Sequence, residues 1–392
     1  MSAKVIIVGA GINGLTTAWH LNKKGYRVSV FDRGPIPNPV SSSYDEHRVT
    51  RHAYGEMADY AARMPEAFQL WDALFADIGA RHFDPLPVIA FERKPSGWID
   101  PSIADLSRMG IAWRELDIAG FKTAHPLINT DGVTRAVELH GSGVLFPTRI
   151  LTDLVVYLAA HGVVFHPHTD VTDIDPETAT ISTSAGAFSG DHLVIAAGAW
   201  VTRLLPQAAA ALTPSRQTVV FLAPPKKFAG LWANAPVYFD LDAETGTYVL
   251  PPRPGTRLKI GDHRFTRIGD PDQPRLAAEE EVARLIEACR AAYTDFDDYM
   301  ILERKACYYT VTDDESFVLE AAGAKATLMS ACSGHGFKLA PQSARLVATW
   351  SAPISRHRRR RGGAQDACWR SCALGKGEAG KGWCPRATAH RP

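Results

Sequence analysis

The clearest indication of the fold class is the sequence KVIIVGAGINGLTTAWHLNKKGYRVSVFDRG, residues 4–34. Its apolar run Val5–Val8 predicts a buried strand, and apolar residues then recur at helical spacing as far as Leu21. A second apolar run, Val28–Phe31, follows this helix after a short turn. A strand, a helix and another strand in this order predict the first βαβ unit of an α/β protein with a parallel sheet.

The turn between the first strand and the helix contains Gly9, Gly11 and Gly14 in the pattern GxGxxG. Glycine here permits a tight turn, the close approach of a pyrophosphate and close helix–strand packing, with the helix N-terminus facing the phosphates. Asp32 ends the second strand, where its carboxylate can accept hydrogen bonds from ribose hydroxyls. A glycine turn used only for packing does not explain Asp32, so the pattern predicts a bound dinucleotide.

A later apolar strand, DHLVIAAGAW at residues 191–200, bears on which dinucleotide is bound. It ends in a glycine turn at Gly198 and resembles the second dinucleotide-domain signature of flavoproteins, in which this turn passes close to the cofactor. The sequence has one GxGxxG pattern, so it gives no sign of a separate pyridine-nucleotide site. FAD bound alone, and reoxidised by something other than NAD, is therefore the predicted cofactor.

Further along the chain, parallel-type strands alternate with β-rich segments. We predict helices over residues 60–82, 148–160 and 276–293, strands over 215–262, and a last strand, glycine turn and helix over 326–350. The predicted fold class is α/β, with a Rossmann-like FAD-binding domain and an interleaved β-rich substrate domain. We assign residues 1–58, 140–205 and 303–352 to the FAD-binding domain, 59–139 and 206–302 to the substrate domain, and 353–392 to a tail.

The composition is that of an ordinary globular enzyme, with 46% hydrophobic and 22% charged residues. The sequence shows neither an apolar run long enough to span a membrane nor a secretory signal. Six cysteines in a chain of this length then argue for reduced thiols. We expect a cytoplasmic protein that has no membrane partner.

The net charge of +1 conceals a basic tail. Residues 356–392 hold ten Lys or Arg against two acidic residues, a charge of +8, which leaves about −7 for residues 1–355. Nucleic-acid binding by the body is therefore not expected.

The tail allows three interpretations. Its composition predicts disorder, and its arginine run is also typical of a patch that binds nucleic acid or a membrane surface. An aberrant, frameshifted terminus is the third interpretation. Its cysteines lack zinc-site spacing, and no metal is predicted.

The loop after the second strand, SSSYDEHRVTRHAYGE at residues 41–56, concentrates charge in an otherwise apolar region. It places Arg48 and Arg51 three residues apart, which a solvated surface loop would also explain. Three further stretches decide against that interpretation: RLKIGDH (257–263), ACYYTVTDDESFVLE (306–320) and CSGHGFK (332–338). All four resemble, in the same order, stretches of the monomeric sarcosine oxidase and N-methyltryptophan oxidase family, FAD-dependent amine oxidases of the D-amino-acid-oxidase type.

This resemblance implies an enzyme that oxidises the C–N bond of an amino acid, passes a hydride equivalent to flavin N5 and reduces O₂ to H₂O₂. Arg51 and Lys338 match the pair that binds the substrate carboxylate, a bidentate guanidinium and a point charge. Arg48 matches the arginine stacked near the flavin. Lys259 matches the lysine that activates oxygen, where a fixed cation in a dry site stabilises superoxide-like charge.

Three further matches keep a structural alternative. His263 matches an active-site histidine, and a histidine that caps a strand end would look the same. Tyr248 matches an active-site tyrosine, although a core aromatic is almost as good an explanation. Cys307 matches the cysteine that carries the flavin through an 8α-thioether, helped by the nearby cations Arg304 and Lys305, whereas most free cysteines are small buried hydrophobes. The resemblance also assigns four more residues to the cofactor site: Val171, Gly334, Gly336 and Phe337.

One departure from the family pattern concerns the amine side of the site. Aligned on the arginines, the family's His-His-Gly-Asp-Thr-Arg is Ser43-Tyr44-Asp45-Glu46-His47-Arg48 here. Tyr44 is then expected above the flavin, and His47 replaces a threonine. We expect these two side chains to shape the amine side of the site and to bind substrate there.

The function predicted from the sequence is an FAD-dependent oxidase of secondary or N-methyl amino acids that takes a small amino acid and O₂ and works as a monomer. A dehydrogenase that passes electrons to another acceptor is one alternative. A non-catalytic flavoprotein with a nucleic-acid-binding tail is the other. The sequence does not identify the amine.

Overall fold

The computed structural model describes residues 2–242 and 246–350. The predicted tail, residues 353–392, lies outside the described residues. None of the helices within the described ranges is both long and apolar enough to cross a membrane. The same ranges contain no group of three or more His, Cys, Asp or Glu side chains arranged to hold a metal ion.

Twenty strands and ten α-helices make up the described chain, and we number them in chain order. The strands are β1 (Lys4–Val8), β2 (Arg27–Phe31), β3 (Arg48–Thr50), β4 (Phe83–Pro85), β5 (Val88–Glu92), β6 (Trp113–Glu115), β7 (Arg135–Leu139), β8 (Gly143–Leu145), β9 (Val164–His166), β10 (Val171–Asp175), β11 (Thr180–Thr183), β12 (Gly186–Ser189), β13 (His192–Ile195), β14 (Thr213–Ala223), β15 (Val237–Asp240), β16 (Tyr248–Leu250), β17 (Leu258–Gly261), β18 (Met300–Val311), β19 (Val318–Gly323) and β20 (Ala326–Ser330). The helices are α1 (Ile12–Lys23), α2 (Ala58–Ala61), α3 (Met64–Ile78), α4 (Ile99–Arg108), α5 (Ile118–Ala124), α6 (Pro147–Ala160), α7 (Val201–Leu204), α8 (Lys226–Ala233), α9 (Glu279–Ala292) and α10 (Ala340–Trp350).

A six-stranded sheet in the order β19-β20-β13-β1-β2-β9 forms the dinucleotide-binding part. The strands from β20 to β9 are parallel, and β19 joins β20 as an antiparallel edge. Val5, Ile6 and Ile7 in β1 have no exposed surface, as expected for a central parallel strand covered on both faces. The predicted βαβ unit and the α/β fold class are confirmed.

Helices cover one face of this sheet and a small antiparallel sheet covers the other. Apolar residues of α1, α3, α6 and α10 form one core cluster with the sheet, whereas β10-β11-β12 belongs to the cluster on the opposite face. Helix α3 lies in the segment assigned to the substrate domain, yet it packs against α6 and α10 of the dinucleotide-binding part. The domain boundary at residue 58 remains a prediction, and the core runs across it.

The second large element is an eight-stranded sheet, β18-β14-β17-β16-β15-β5-β7-β6. Its strands come from residues 88–139 and 213–311, so this sheet is built from two separated stretches of chain. One of its faces packs on α5, α8 and α9, and the other face belongs to the cluster that contains α4. A three-stranded sheet, β3-β8-β4, pairs the Arg48–Thr50 segment with Gly143–Leu145.

The helix predicted over residues 60–82 is two helices, because Pro65 stands in the first turn of α3 and cannot continue the hydrogen bonding of α2. The second helix ends at Gly79, whose φ of 71° places it in the left-handed conformation that terminates helices. The other two predicted helices agree within three residues, as α6 and α9. Helix ends are the least certain part of such a prediction.

Candidate active site

The glycine turn after β1 is shaped by close backbone contacts. Gly9 has φ of 105°, and a Cβ atom there would overlap the carbonyl group of Ala196 at the end of β13. A Cβ atom at Gly14 would overlap the carbonyl oxygen of Gly9. Only glycine therefore allows the turn and helix α1 to approach each other and the sheet this closely.

The start of α1 is fixed by two side chains from later in the chain. The Ile12 amide donates to Ser43 Oγ at 2.9 Å, and the Ala10 amide donates to Asp32 Oδ2 at 2.9 Å. Asp32 Oδ1 also accepts from the Gly34 amide and from Asn38 Nδ2. Asp32 thus holds the glycine turn in place as well as lying at the wall of the cavity described next.

A cavity of about 390 Å³ lies over the carboxyl ends of β1, β2 and β13, where ligands bind in open α/β sheets. Gly14 does not line it, because this residue lies behind the turn against Gly9 and Ile7. The other predicted cofactor residues, apart from Cys307, line it: Gly9, Gly11, Asp32, Val171, Gly198, Gly334, Gly336 and Phe337.

The donors and acceptors of this cavity fit a dinucleotide. Within the described residues, Ser41 Oγ and Arg48 Nε are buried without a hydrogen-bond partner, and both residues line the cavity. The helix N-terminus at Gly11 and Ile12 also faces it, which suits a pyrophosphate. Buried polar groups are normally paired, so these atoms indicate a polar ligand.

A second cavity, of about 330 Å³, adjoins the first. The two share four lining residues: Arg48, Tyr309, Gly334 and Phe337. The Arg48 guanidinium lies 5.6 Å from the centre of the Phe337 ring. A planar group seated across this shared wall would be exposed to both cavities.

Arg51 and Lys338 line the second cavity, and both are held by aromatic rings rather than by carboxylates. The Arg51 guanidinium lies 4.8 Å from the ring centre of Tyr54, 5.5 Å from Trp98 and 5.2 Å from Phe239. Lys338 Nζ lies 5.1 Å from the Tyr54 ring and donates to the His335 carbonyl at 3.3 Å. Neither cation has an ion pair within residues 2–242 and 246–350.

Electrostatics make this pair a receptor for an anion. Burial lowers the pKa of Lys338 well below its ordinary value, and the nearby Arg51 and Arg48 lower it further. Burial likewise lowers the pKa of Arg51. An anion placed between Arg51 and Lys338 would relieve both effects, and a carboxylate matches the fork of a guanidinium.

Lys259 and Arg48 share a buried carboxylate. Lys259 Nζ lies 2.5 Å from Asp45 Oδ2, and Arg48 Nη2 lies 3.3 Å from the same oxygen. Burial alone would raise the pKa of Asp45, but the two cations hold it well below its usual range. Lys259 stands on β17 and lines the second cavity.

Tyr248 and His263 also line the second cavity. Tyr248 lies across from Gly261, and a Cβ atom at Gly261 would collide with the tyrosine ring. Burial raises the pKa of Tyr248, and Cys307 and Asp45 add to that rise. His263 is more exposed, with 56% of its side chain accessible, and its Nε2 lies 3.2 Å from Glu315 Oε2.

Tyr44 and His47 lie elsewhere, and neither is among the described residues that line the two cavities. His47 is fully buried with Nε2 at 3.2 Å from the Pro251 carbonyl, and Tyr44 accepts from Lys305 Nζ through its carbonyl at 3.3 Å. The expectation that these two side chains shape the amine side of the site remains a prediction, and the structure does not place either of them at the lining of either cavity.

Cys307 lies on β18, opposite Gln217 of β14. Burial raises the pKa of its thiol, while three cations oppose that rise: Arg48, Lys259 and Lys305. Arg304, which was expected to assist, points to the other face of the strand because side chains alternate, and it lies 3.5 Å from Glu279. Cys307 is not among the residues that line the first cavity, whereas Cys332 is.

Sequence reasoning missed three side chains of the site. Trp98 and Phe239 form the aromatic enclosure of Arg51, and a single Trp in KPSGWID or a strand Phe carries no signal of that role. Asp45 was visible as a departure from the family pattern, but its buried contact with Lys259 spans 214 residues of sequence. A local sequence pattern cannot predict a contact between residues that far apart in the chain.

Comparison with known proteins agrees with this geometry. The profile of the DAO family, described as FAD dependent oxidoreductase, matches residues 4–350. Monomeric sarcosine oxidase of Bacillus sp. (strain NS-129) is 27% identical over 348 residues, which cover 85% of this chain and 89% of that protein. N-methyl-L-tryptophan oxidase of Yersinia pestis (strain Pestoides F) is 24% identical over 365 residues, covering 90% of this chain and 95% of that protein.

A solved structure shows the same fold. The open form of NikD, described as an unusual amino acid oxidase essential for nikkomycin biosynthesis, superposes with a TM-score of 0.76 at 20% identity. The match covers 91% of this chain and 96% of that one. The family match, the dinucleotide cavity and the buried cations lead to the same conclusion: the chain belongs to the DAO family of FAD-dependent oxidoreductases and is an amine-acting oxidoreductase.

Proposed function

We propose that this protein is an FAD-dependent oxidase of α-amino acids whose amine is secondary or N-methylated, with O₂ as the electron acceptor. The observation that carries the proposal is the pair Arg51 and Lys338, two cations that line one cavity without an ion pair in the described residues. The names of its relatives, sarcosine oxidase and N-methyl-L-tryptophan oxidase, support the substrate class.

The first cavity would hold FAD. The glycine turn and the N-terminus of α1 would receive the pyrophosphate, and Asp32 lies where a ribose can bind. Arg48 and Phe337, at the wall between the two cavities, would contact the ring system. When bound, FAD would accept a hydride equivalent from the carbon attached to the substrate nitrogen, as the C–N bond becomes C=N, and would supply the electrons that reduce O₂.

The second cavity would hold the amino acid by its carboxylate. Arg51 offers a planar fork and Lys338 a point charge, so the two together fix both the distance and the orientation of the anion. The aromatic rings around Arg51 keep water away from the pair and strengthen the attraction. The neutral amine is the form that can release a hydride, so the site has to bind the carboxylate without protonating the amine.

Lys259 would promote the reaction of O₂ with the reduced flavin from the same cavity. Its side chain is buried and is carried by strand β17, so it reaches the second cavity from a rigid element. A preorganised cation stabilises the negative charge that develops as O₂ takes its first electron. This role favours an oxidase over a dehydrogenase with a different acceptor.

An anaerobic screen tests the function directly. Purified yellow protein is mixed with single amino acids, and bleaching of the flavin absorbance is followed without oxygen. We expect sarcosine, L-proline or another secondary amino acid to bleach it, and air to restore the colour with formation of H₂O₂. Bleaching by simple amines alone would contradict the substrate class, and colour restored only by an added dye would contradict the oxidase.

Covalent attachment of the flavin at Cys307 is a separate prediction. The thiol lies near three cations that favour its thiolate form, the form that can bond to the flavin. We expect acid precipitation to leave the yellow colour in the pellet, and Cys307→Ser to release it to the supernatant. Cys332→Ser is the matched control, because Cys332 lies at the first cavity. Complete extraction of flavin from the unmodified protein would refute attachment.

The depressed pKa of Lys338 predicts a pH dependence for anion binding. Burial, Arg51 and Arg48 hold this pKa well below the ordinary lysine value of 10.5, and a bound carboxylate would raise it. At pH values between the pKa of Lys338 in the free site and its pKa in the bound site, binding is accompanied by uptake of a proton. Affinity for a non-reacting carboxylate such as acetate should therefore fall as pH rises through this range. Titration of the flavin spectrum with acetate at several pH values measures it, and the slope should vanish in Lys338→Met.

A further inference from the structure

Asp45 is a buried carboxylate for which the proposed reaction has no role. It lies in the loop between β2 and β3 with 7% of its surface exposed. Its Oδ1 accepts from the Glu46 amide at 2.9 Å, and its Oδ2 contacts Lys259 at 2.5 Å and Arg48 at 3.3 Å. The family pattern has glycine at the aligned position, so this carboxylate is a feature of the present chain.

Several charged or titratable groups face the ammonium of Lys259. Asp45 comes from the loop after β2, Arg48 from β3 and Cys307 from β18, and the same loop contributes His47. The ring of Phe221 on β14 lies 5.9 Å from Nζ. Within the described residues, Asp45 is the one carboxylate that forms an ion pair with Lys259.

The balance of these groups decides the charge of Lys259. Burial lowers its pKa and Arg48 lowers it further, while the Asp45 carboxylate opposes both effects. A buried ion pair is not in itself a good source of stability, because the cost of removing both charges from water is comparable to their attraction. What the Asp45 carboxylate does is oppose the loss of the Lys259 proton in a dry environment next to a guanidinium.

We propose that Asp45 is a positioning residue that keeps the Lys259 ammonium protonated and fixed at the wall of the second cavity. Reaction with oxygen then depends on a carboxylate as well as on the lysine. The inference rests on the proposed function, in which Lys259 serves oxygen. It adds a residue that neither the fold nor the family pattern assigns to that step.

The test compares Asp45→Asn with Glu46→Gln. Glu46 is the neighbouring carboxylate, and it binds Arg257 rather than Lys259, so its variant controls for loss of a charge in the same loop. Each holoenzyme is reduced with light and EDTA under anaerobic conditions, which needs no substrate, and is then mixed with oxygenated buffer from about pH 6 to pH 10. We expect reoxidation in Asp45→Asn to slow about tenfold or more and to fall with rising pH within this range. Asp45→Glu should restore most of the rate.

A second measurement reports on Lys259 without any turnover. Trace acetic anhydride labels only neutral amines, so the acetylated fraction of the peptide with Lys259, followed against pH, gives its protonation directly. In Asp45→Asn this labelling should move to lower pH by about one unit or more relative to Glu46→Gln.

The outcomes separate this inference from the proposed function. Identical labelling curves and pH profiles in the two variants, or faster reoxidation in Asp45→Asn, would overturn the role of Asp45. A shifted labelling curve with normal reoxidation in both Asp45→Asn and Lys259→Met would show instead that Asp45 keeps Lys259 protonated, but that Lys259 does not promote the reaction with O₂. Absence of bleaching by any amino acid would count against the substrate proposal alone, since the reoxidation test uses no substrate.

Discussion

Arg51→Ala is expected to weaken binding of the substrate carboxylate by roughly thirtyfold to several thousandfold, which corresponds to about 2–5 kcal/mol. The loss is large because the guanidinium sits among Tyr54, Trp98 and Phe239, where water cannot replace it easily. Its removal also leaves Lys338 as the sole member of the pair to meet the anion. Titration of the flavin spectrum with a non-reacting carboxylate measures the dissociation constant directly.

Arg149→Ala is the matched control for this variant. Arg149 also stacks on an aromatic ring, Phe146 at 4.4 Å, but its side chain is exposed and lies outside the residues that line either cavity. We expect unchanged affinity there. Esterified or decarboxylated analogues of sarcosine and L-proline should reduce the flavin of the unmodified protein poorly. Equal reduction rates for charged and uncharged analogues would show that no carboxylate clamp exists.

Lys259→Met is expected to slow reoxidation of the reduced flavin by O₂ about 10²- to 10³-fold, or roughly 3–4 kcal/mol in the barrier. Methionine keeps the length of the side chain and removes the charge, so the developing negative charge on oxygen loses its fixed partner. Anaerobic reduction by substrate should change much less, because Arg51 and Lys338 still bind the carboxylate. Stopped-flow absorbance resolves the two half-reactions.

Lys227→Met provides the comparison for Lys259. Lys227 is also ion-paired with carboxylates, Asp295 at 2.8 Å and Asp298 at 2.7 Å, but it is exposed and is not one of the lining residues of either cavity. Its loss should leave both half-reactions unchanged. Equal slowing of reduction and reoxidation in Lys259→Met would place Lys259 in the substrate step instead.

The dinucleotide half of the fold could be predicted because its signals are local. The glycine turn, helix α1 and strand β2 lie within one stretch of chain, so their residue types and spacing can be recognised together. Helix α3 shows the limit of such signals. Its apolar face was evident from the helical periodicity. The sequence did not show whether this face packs on α6 and α10, as it does, or on the substrate domain.

The candidate site divides in the same way. Arg48, Arg51 and Lys338 could be predicted because the short stretches that contain them resemble stretches of a known family of amine oxidases. Tyr44 and His47 precede Arg48 in the same loop, yet the structure places neither of them at the lining of either cavity, and a sequence pattern does not reveal that difference. Asp45 shows the same limit, because its role depends on Lys259, which comes close to it only when the chain folds.

The four residues shared by the two cavities have a consequence for biosynthesis. Arg48 is made early on the ribosome, whereas Tyr309, Gly334 and Phe337 emerge near the end of the described chain. The N-terminal part of the chain can fold first, but this wall is incomplete until β18 and the turn after β20 are in place. We therefore expect flavin to bind only after Phe337 has been made, so nascent chains halted before residue 334 should be colourless, however well their first βαβ unit has formed.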